Sequence, residues 1–327
     1  RVRPMPIYKD TSATVKGFVG YAARMSKKYD NDILRVQSIK IHPEGNWTAG
    51  AAPMLEPYLH TGKTGSFGVE PKRSKALVLA ANKAGLNTII HTDGDASARA
   101  ALDAFTAANE AGYGKMRNAI HHLIWVHPDD FRRIVDMKVP INSTPGFGND
   151  WGGQDRQAYE MLGYKRTEER FCKYPDLVRA GATVSLSADV LSTPLTSQAP
   201  LFVVEAAVTM MEPSEQGSSK PFPKTRKGLT VEQAIRTVTI DAAWQVKMED
   251  KIGSLEVGKY ADIVVLEANP FEVEPLEIEE IDVLLTMMDG KIHHQVDKAA
   301  PDELNPDKPS VRSGDFKIDP ASKSKKD

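Results

Sequence analysis

Three features of the sequence predict an α/β fold of parallel βα units with a small β-domain appended on the C-terminal side. Strand-like and helix-like segments alternate at intervals of roughly thirty to forty residues, as in parallel βα units. Past Asp189 the pattern changes, and the segments after Gly253 read as short antiparallel strands with turns at Gly258 and Asp289-Gly290. Within the βα region lies Asn87-Thr88-Ile89-Ile90-His91-Thr92-Asp93-Gly94-Asp95, followed by the alanine-rich run Ala96 to Ala108. Thr88 to Ile90 reads as a buried strand, His91 ends it, Gly94 allows a tight turn and Asp95 is placed to cap the next helix. A side chain at the C-terminal end of such a strand is where barrel proteins put metal ligands and acid/base groups. The alternative for His91 is a histidine hydrogen-bonded within a turn.

The elements follow in order. Val2 to Tyr8 is a strand candidate, and Val15 to Lys28 an amphipathic helix with Phe18, Val19, Ala22 and Met25 on one side. Val36 to His42 alternates like a strand, so Ser38, Lys40 and His42 share a face. Pro43 to Gly68, rich in Gly, Pro and Thr, is a long loop, a kind that is often functional. Glu70 to Ala84 and Ala96 to Ala111 are helices. Met116 to Trp125 is a strand in which the adjacent His121 and His122 face opposite ways, so only one of them can look into a site. His127-Pro128-Asp129-Asp130 starts a short helix, Val139 to Ser143 is a strand, and helix follows the Gly-rich 145–154 loop as far as Arg179. Ala182 to Asp189 is a further strand ending in a carboxylate. Leu201 to Met211 and Thr230 to Val246 are helical, the second opened by Thr230 in capping style.

Composition narrows the class. With 41% hydrophobic and 26% charged residues, the 327-residue chain has the make-up of a globular protein. Its net charge of −2 argues against nucleic acid or an anionic membrane as main partner. No apolar run approaches the ~20 residues that span a bilayer. The single cysteine, Cys172, excludes an internal disulfide and a cysteine-only metal site, and reads as a packed residue. The compartment stays open.

Several motifs in a fixed order carry a resemblance. Gly253-Ser254-Leu255-Glu256-Val257-Gly258-Lys259-Tyr260-Ala261-Asp262-Ile263-Val264-Val265-Leu266, with Asp289-Gly290-Lys291 after it, resembles the C-terminal β-sandwich signature of the amidohydrolase superfamily. His91-Thr92-Asp93-Gly94-Asp95 with Ala101-Leu102-Asp103, then Arg117 through His122, then Ser187-Ala188-Asp189, resemble the third amidohydrolase family, the YtcJ-like hydrolases related to N-substituted formamide deformylase. The resemblance spans roughly Arg1 to Ile292.

It implies a (β/α)8 TIM-type barrel over residues 1–250 with its N-terminal strands missing, the C-terminal part of a β-sandwich over 251–298, and a disordered or surface-wrapped tail over 299–327. It implies a metal-dependent hydrolase that cleaves a C–N bond of a small amide, formamide or cyclic amide with metal-activated water. His91 and His122 would be metal ligands, with His121 turned outward toward the helices, and Asp189 would be both a ligand and the base. Lys40 would be a carbamate bridging two metals, or else an ordinary strand-end lysine. Zinc, as one or two ions, suits such ligands. His42 is a substitute ligand, a substrate contact or a rim histidine. The superfamily's His-x-His pair is absent from the eight histidines, and the first barrel strands have no room before Lys40. The native particle is therefore expected to include an N-terminal fragment or second chain that completes the barrel; a homo-oligomer stays open. The rival reading is a non-catalytic barrel fragment acting as a binding or structural protein.

Overall fold

In the computed structural model, residues 1–9, 12–148, 154–189, 199–212 and 220–296 are described. Six parallel strands lie side by side in chain order: β1 Ile7–Tyr8, β2 Ser38–Ile41, β3 Asn87–Thr92, β4 Ala119–His122, β5 Ile141–Ser143 and β6 Val184–Leu186. Parallel neighbours need crossover connections, and helices supply them. They are α1 Val15–Lys28, α2 Pro71–Lys83, α3 Asp95–Ala108, α4 Pro128–Asp136, and between β5 and β6 the three short helices α5 Gln154–Leu162, α6 Tyr164–Arg170 and α7 Tyr174–Arg179. Three more follow β6: α8 Pro200–Thr209, α9 Val231–Val238 and α10 Ile240–Gln245. A separate antiparallel sheet holds β7 Ile263–Leu266, β8 Val283–Met288 and β9 Lys291–Gln295.

Local chemistry sets these boundaries. Thr14 accepts from the Gly17 N–H to start α1, and Thr230 with Gln233 forms a full capping box on α9. Pro71 and Pro128 occupy the first turns of their helices, where a missing N–H costs nothing. The expected Val2 to Tyr8 strand shrinks to Ile7–Tyr8, with one isolated bridge from Val2 to Leu34, because Pro4 and Pro6 cannot donate to a ladder. In the C-terminal sheet the strand begins only at Ile263. Gly253 and Gly258 before it hold φ of +92° and +96°, which belong to turns. The expected tail at 299–327 lies outside the described residues.

The ladder registers give the parallel sheet two unlike faces. Tyr8, Ile41, Ile90, Ile120, Ile141 and Val184 stand in one continuous row across the six strands, and all are buried. Each such aliphatic side chain contributes roughly 1.5–3 kcal/mol on burial. They belong to one core with helix residues including Val19, Leu77, Val78, Ala101, Leu102 and Ile134. The next residue of each strand points the other way, and there the sheet carries His91, His121, Asn142 and Ser185 in register. A parallel sheet buried on both faces normally reads as unbroken hydrophobic runs. This one is apolar on one face and polar on the other, and the polar face holds the site. No helix among the described residues is long and apolar enough to cross a membrane.

Candidate functional site

Lys40 and His42 on β2 and just beyond it, His91 on β3 and His121 on β4 share the polar face, as the pairing of Lys40 with Ile89 and of His91 with His121 requires. Lys40 Nζ reaches one step up the sheet to lie 2.9 Å from His121 Nδ1. The His42 ring stacks on His91 with centroids 4.0 Å apart and planes 16° from parallel. His42 is thus half-buried and stacked against the cluster.

His122 joins the same cluster by a different route. Strand alternation assigns it to the opposite face, since it pairs with Thr92. Its φ of +69° and that of Leu123, +50°, break the strand, and the Leu123 N–H turns back to the His121 carbonyl. This three-residue turn around His122 is a strained geometry of the kind found at functional sites. Ser143 Oγ donates to the His122 carbonyl at 3.1 Å and helps hold the turn. The His122 ring then sits 4.7 Å from His91, tilted 64° to it, and 5.5 Å from Phe147. His122 is inward as expected, but His121 is inward too. The expectation of an outward His121 is corrected, because the turn removes the alternation on which it rested.

Asp189 follows β6 in a left-handed conformation, φ +51°. Its charge and that of Asp93 act on the Lys40 ammonium, which burial nonetheless pulls down to about 8. Burial, then the neighbouring His91 charge, lowers His42 to about 4. Burial likewise holds His121 and His122 well below the usual imidazole range, so both are neutral and available as acceptors or ligands near neutral pH. At the other end of the row, Asn142 donates to Ser185 Oγ at 2.8 Å and accepts from Ser187 Oγ at 3.0 Å.

Beside the histidines lies a buried carboxylate network. The long loop expected over Pro43 to Gly68 is largely irregular and folds onto the β3–α3 turn. Glu44 accepts from the Asp93 N–H at 2.6 Å, the Gly94 N–H at 3.2 Å and Ser97 Oγ at 2.8 Å. Burial, with the Asp93 charge beside it, drives the Glu44 carboxyl well above its ordinary value. Asp93 Oδ2 accepts from the Trp47 N–H at 3.1 Å, and Asp93 Oδ1 lies 3.3 Å from His91 Nε2. Asp95 does not cap α3, whose N-cap is Gly94. Its carboxylate instead accepts from the Leu55 N–H and from Arg170, tying the loop down. A Cβ on Gly94 would stand 1.9 Å from the Pro53 carbonyl oxygen, so only glycine fits under this loop.

Three buried ring nitrogens in the cluster have no hydrogen-bond partner: His42 Nδ1, His91 Nε2 and His122 Nδ1. Buried polar atoms are nearly always paired, so three orphans together mark a place for a ligand. Neutral imidazole with carboxylate nearby is the donor chemistry of zinc and related divalent ions, and to that extent the residues fit a metal. Among the described residues, however, no three His, Cys, Asp or Glu side chains are grouped so as to hold one ion. Cys172 is buried, and burial raises its thiol, as suits a packed residue. The surface hollow lined by Lys72, Lys75, Arg99 and Asp103 lies over α2 and α3 and includes none of these histidines.

The model of the amidohydrolase family matches residues 12–294. The chain belongs to the amidohydrolase family. Among relatives, it is 25% identical over 220 residues to N-substituted formamide deformylase of Arthrobacter pascens, covering 67% of this chain and 38% of that protein. It is 22% identical over 271 residues to the putative amidohydrolase YtcJ of Bacillus subtilis, covering 82% of this chain and 49% of that one. The crystal structure of an uncharacterized metal-dependent hydrolase from Pyrococcus horikoshii superposes with a TM-score of 0.67 at 23% identity, covering 79% of this chain and 50% of that chain, a likeness of fold. The chain thus spans half or less of the length of these proteins. Within this amidohydrolase-family chain, His91 and His122 pack ring against ring, Lys40 reaches His121, which adjoins His122, and the Asp189 charge acts on Lys40. The sequence reading passed over Glu44, Asp93 and the inward His121. The signal for His121 was present, because the dipeptides Ile41-His42, Ile90-His91 and Ile120-His121 fall in step.

Proposed function

We propose that this amidohydrolase-family chain carries the metal-binding half of a hydrolase that cleaves a C–N bond in a small amide-type substrate, with its six parallel strands forming part of a (β/α)8 barrel. The observation that carries this reading is the trio of buried, unpartnered imidazole nitrogens on the polar face of the sheet. His91 and His122 would hold a divalent ion, most suitably zinc, through their ring nitrogens, and burial keeps the His122 imidazole unprotonated for that role. When bound, such an ion polarises a carbonyl oxygen and acidifies water. Asp189 takes the proton from the attacking water and returns it to the departing nitrogen, as a general base and then acid. Lys40, whose ammonium burial lowers to about 8, gives up its proton more readily than an exposed lysine, and on adding carbon dioxide would become a carbamate that offers oxygen ligands to the site. The Pro43 to Gly68 loop, held against the β3–α3 turn by Glu44, Asp93 and Asp95, sets the wall against which the substrate rests.

The rival reading, a binding or structural protein that kept the fold and lost the chemistry, is favoured by one observation: the donors among the described residues do not yet converge on a single point. Turnover decides between them. After zinc reconstitution, the protein is assayed on a panel of N-substituted formamides, linear amides and cyclic amides. The proposal expects release of amine from at least one class, lost on chelation and restored by metal. No turnover by metal-loaded protein on any class would favour the rival.

A further inference from the structure

Asp93 has the wrong surroundings for an ordinary surface carboxylate. It is buried, in the turn directly after β3, and one of its oxygens is committed: Oδ2 accepts from the Trp47 N–H at 3.1 Å. The other oxygen, Oδ1, lies 3.3 Å from His91 Nε2. That approach is near enough for contact but too poorly aligned for a hydrogen bond, and Nε2 remains among the buried atoms without a partner. His91 itself is only 8% exposed. An imidazole nitrogen and a carboxylate oxygen therefore face each other 3.3 Å apart inside the protein.

The gap has a chemically meaningful length. Two ligands of a tetrahedral zinc ion, each about 2.0–2.1 Å from the metal, stand about 3.3 Å apart. The fixed Oδ2 bond to Trp47 and the Glu44 bond to the Asp93 N–H hold the carboxylate in place from two sides, as supporting contacts do for metal ligands. We infer that Asp93 Oδ1 and His91 Nε2 form one ready-made edge of a divalent metal site, which makes Asp93 a direct ligand. This rests on the proposal that the histidine cluster binds a metal, and it adds a carboxylate that the family resemblance did not assign.

Cobalt(II) is the probe, titrated into the full-length protein and followed by its visible absorption, with far-ultraviolet circular dichroism to confirm folding. The wild-type protein is expected to develop visible cobalt bands. Asp93→Asn, which can still accept from Trp47, is expected to bind cobalt more than about 100-fold more weakly, beyond the loss typical of a merely supporting residue. Asp93→Cys is expected to add a near-ultraviolet thiolate-to-cobalt charge-transfer band, which only a directly coordinated sulfur gives. Affinity in Asp93→Asn within about 100-fold of wild type, or a folded Asp93→Cys protein that binds cobalt without that band, would overturn the inference while leaving the metal reading intact. If Asp93→Cys does not fold, Asp93→Asn alone decides. Failure of the wild-type protein to bind cobalt at all would overturn both.

Discussion

Lys40 Nζ and His121 Nδ1 stand 2.9 Å apart on the polar face of the parallel sheet. Burial holds His121 neutral, so its Nδ1 accepts from the lysine amine and its ring proton resides on Nε2. The pair fixes where the amine points. Removal of the imidazole in His121→Ala strands a buried polar group, which typically costs about 1–3 kcal/mol. Urea denaturation should therefore show a lowered midpoint with an unchanged slope. A midpoint equal to that of the wild-type protein would mean that the contact contributes nothing.

The left-handed turn at His122 makes a second prediction. An L-residue at a φ of +69° pays a steric cost that glycine does not. Elsewhere in a strand, alanine is more stabilising than glycine; here the order inverts. His122→Gly should melt above His122→Ala, by about 1 kcal/mol in stability, and both should lose metal affinity. A His122→Ala protein as stable as or more stable than His122→Gly would show that the turn is not formed.

Much of the fold was legible because local rules and global packing agree. The α1 boundaries follow from Thr14 as N-cap and from apolar spacing, and the βα order follows from alternating periods. The family motifs pointed to His91 and His122, which pack against each other in the cluster. His121 was misread for a physical reason: alternation holds only while φ/ψ stay in the β region, and no residue type announced that His122 would leave it. Glu44 and Asp93 were missed because their role depends on a long-range contact, the docking of the 43–68 loop on the β3–α3 turn, which local pattern does not encode. Asp95 looked like a cap because Asp at a helix start usually is one, but Leu55 and Arg170 compete for its oxygens.

Glu44 is the anchor of that docking. Glu44→Ala leaves the Asp93 and Gly94 N–H groups and the Ser97 hydroxyl without their acceptor, at a combined cost of about 3 kcal/mol or more. Limited proteolysis should then cut within residues 43–68 faster than in the wild-type protein. Unchanged cleavage kinetics and stability would remove Glu44 from this role.

Glu205 on α8 gives a pH prediction. Burial first, then the charges of Glu279 and Glu280, push its carboxyl from 4.5 to about 7, while it accepts from the Glu279 N–H at 2.9 Å. The folded state therefore holds this proton more tightly than the unfolded chain. The stability it contributes is fully present below about pH 4.5, declines as pH rises from there to about 7, and is lost above that. Glu205→Gln keeps an acceptor and removes the ionisation. Its melting temperature should exceed the wild-type value at pH 8, by roughly 1–3 kcal/mol in stability, and match it near pH 4. An equal difference at both pH values would contradict the burial of this carboxyl.

The central claim, that the polar face of the parallel sheet holds a divalent metal, is tested most directly by elemental analysis of the protein after zinc reconstitution and removal of free metal. The account predicts about one zinc or more per chain, as an imidazole and carboxylate site would retain, and its loss in a folded His91→Ala, His122→Ala double variant. A chain that retains no zinc, or a double variant that retains as much as the wild-type protein, would contradict it.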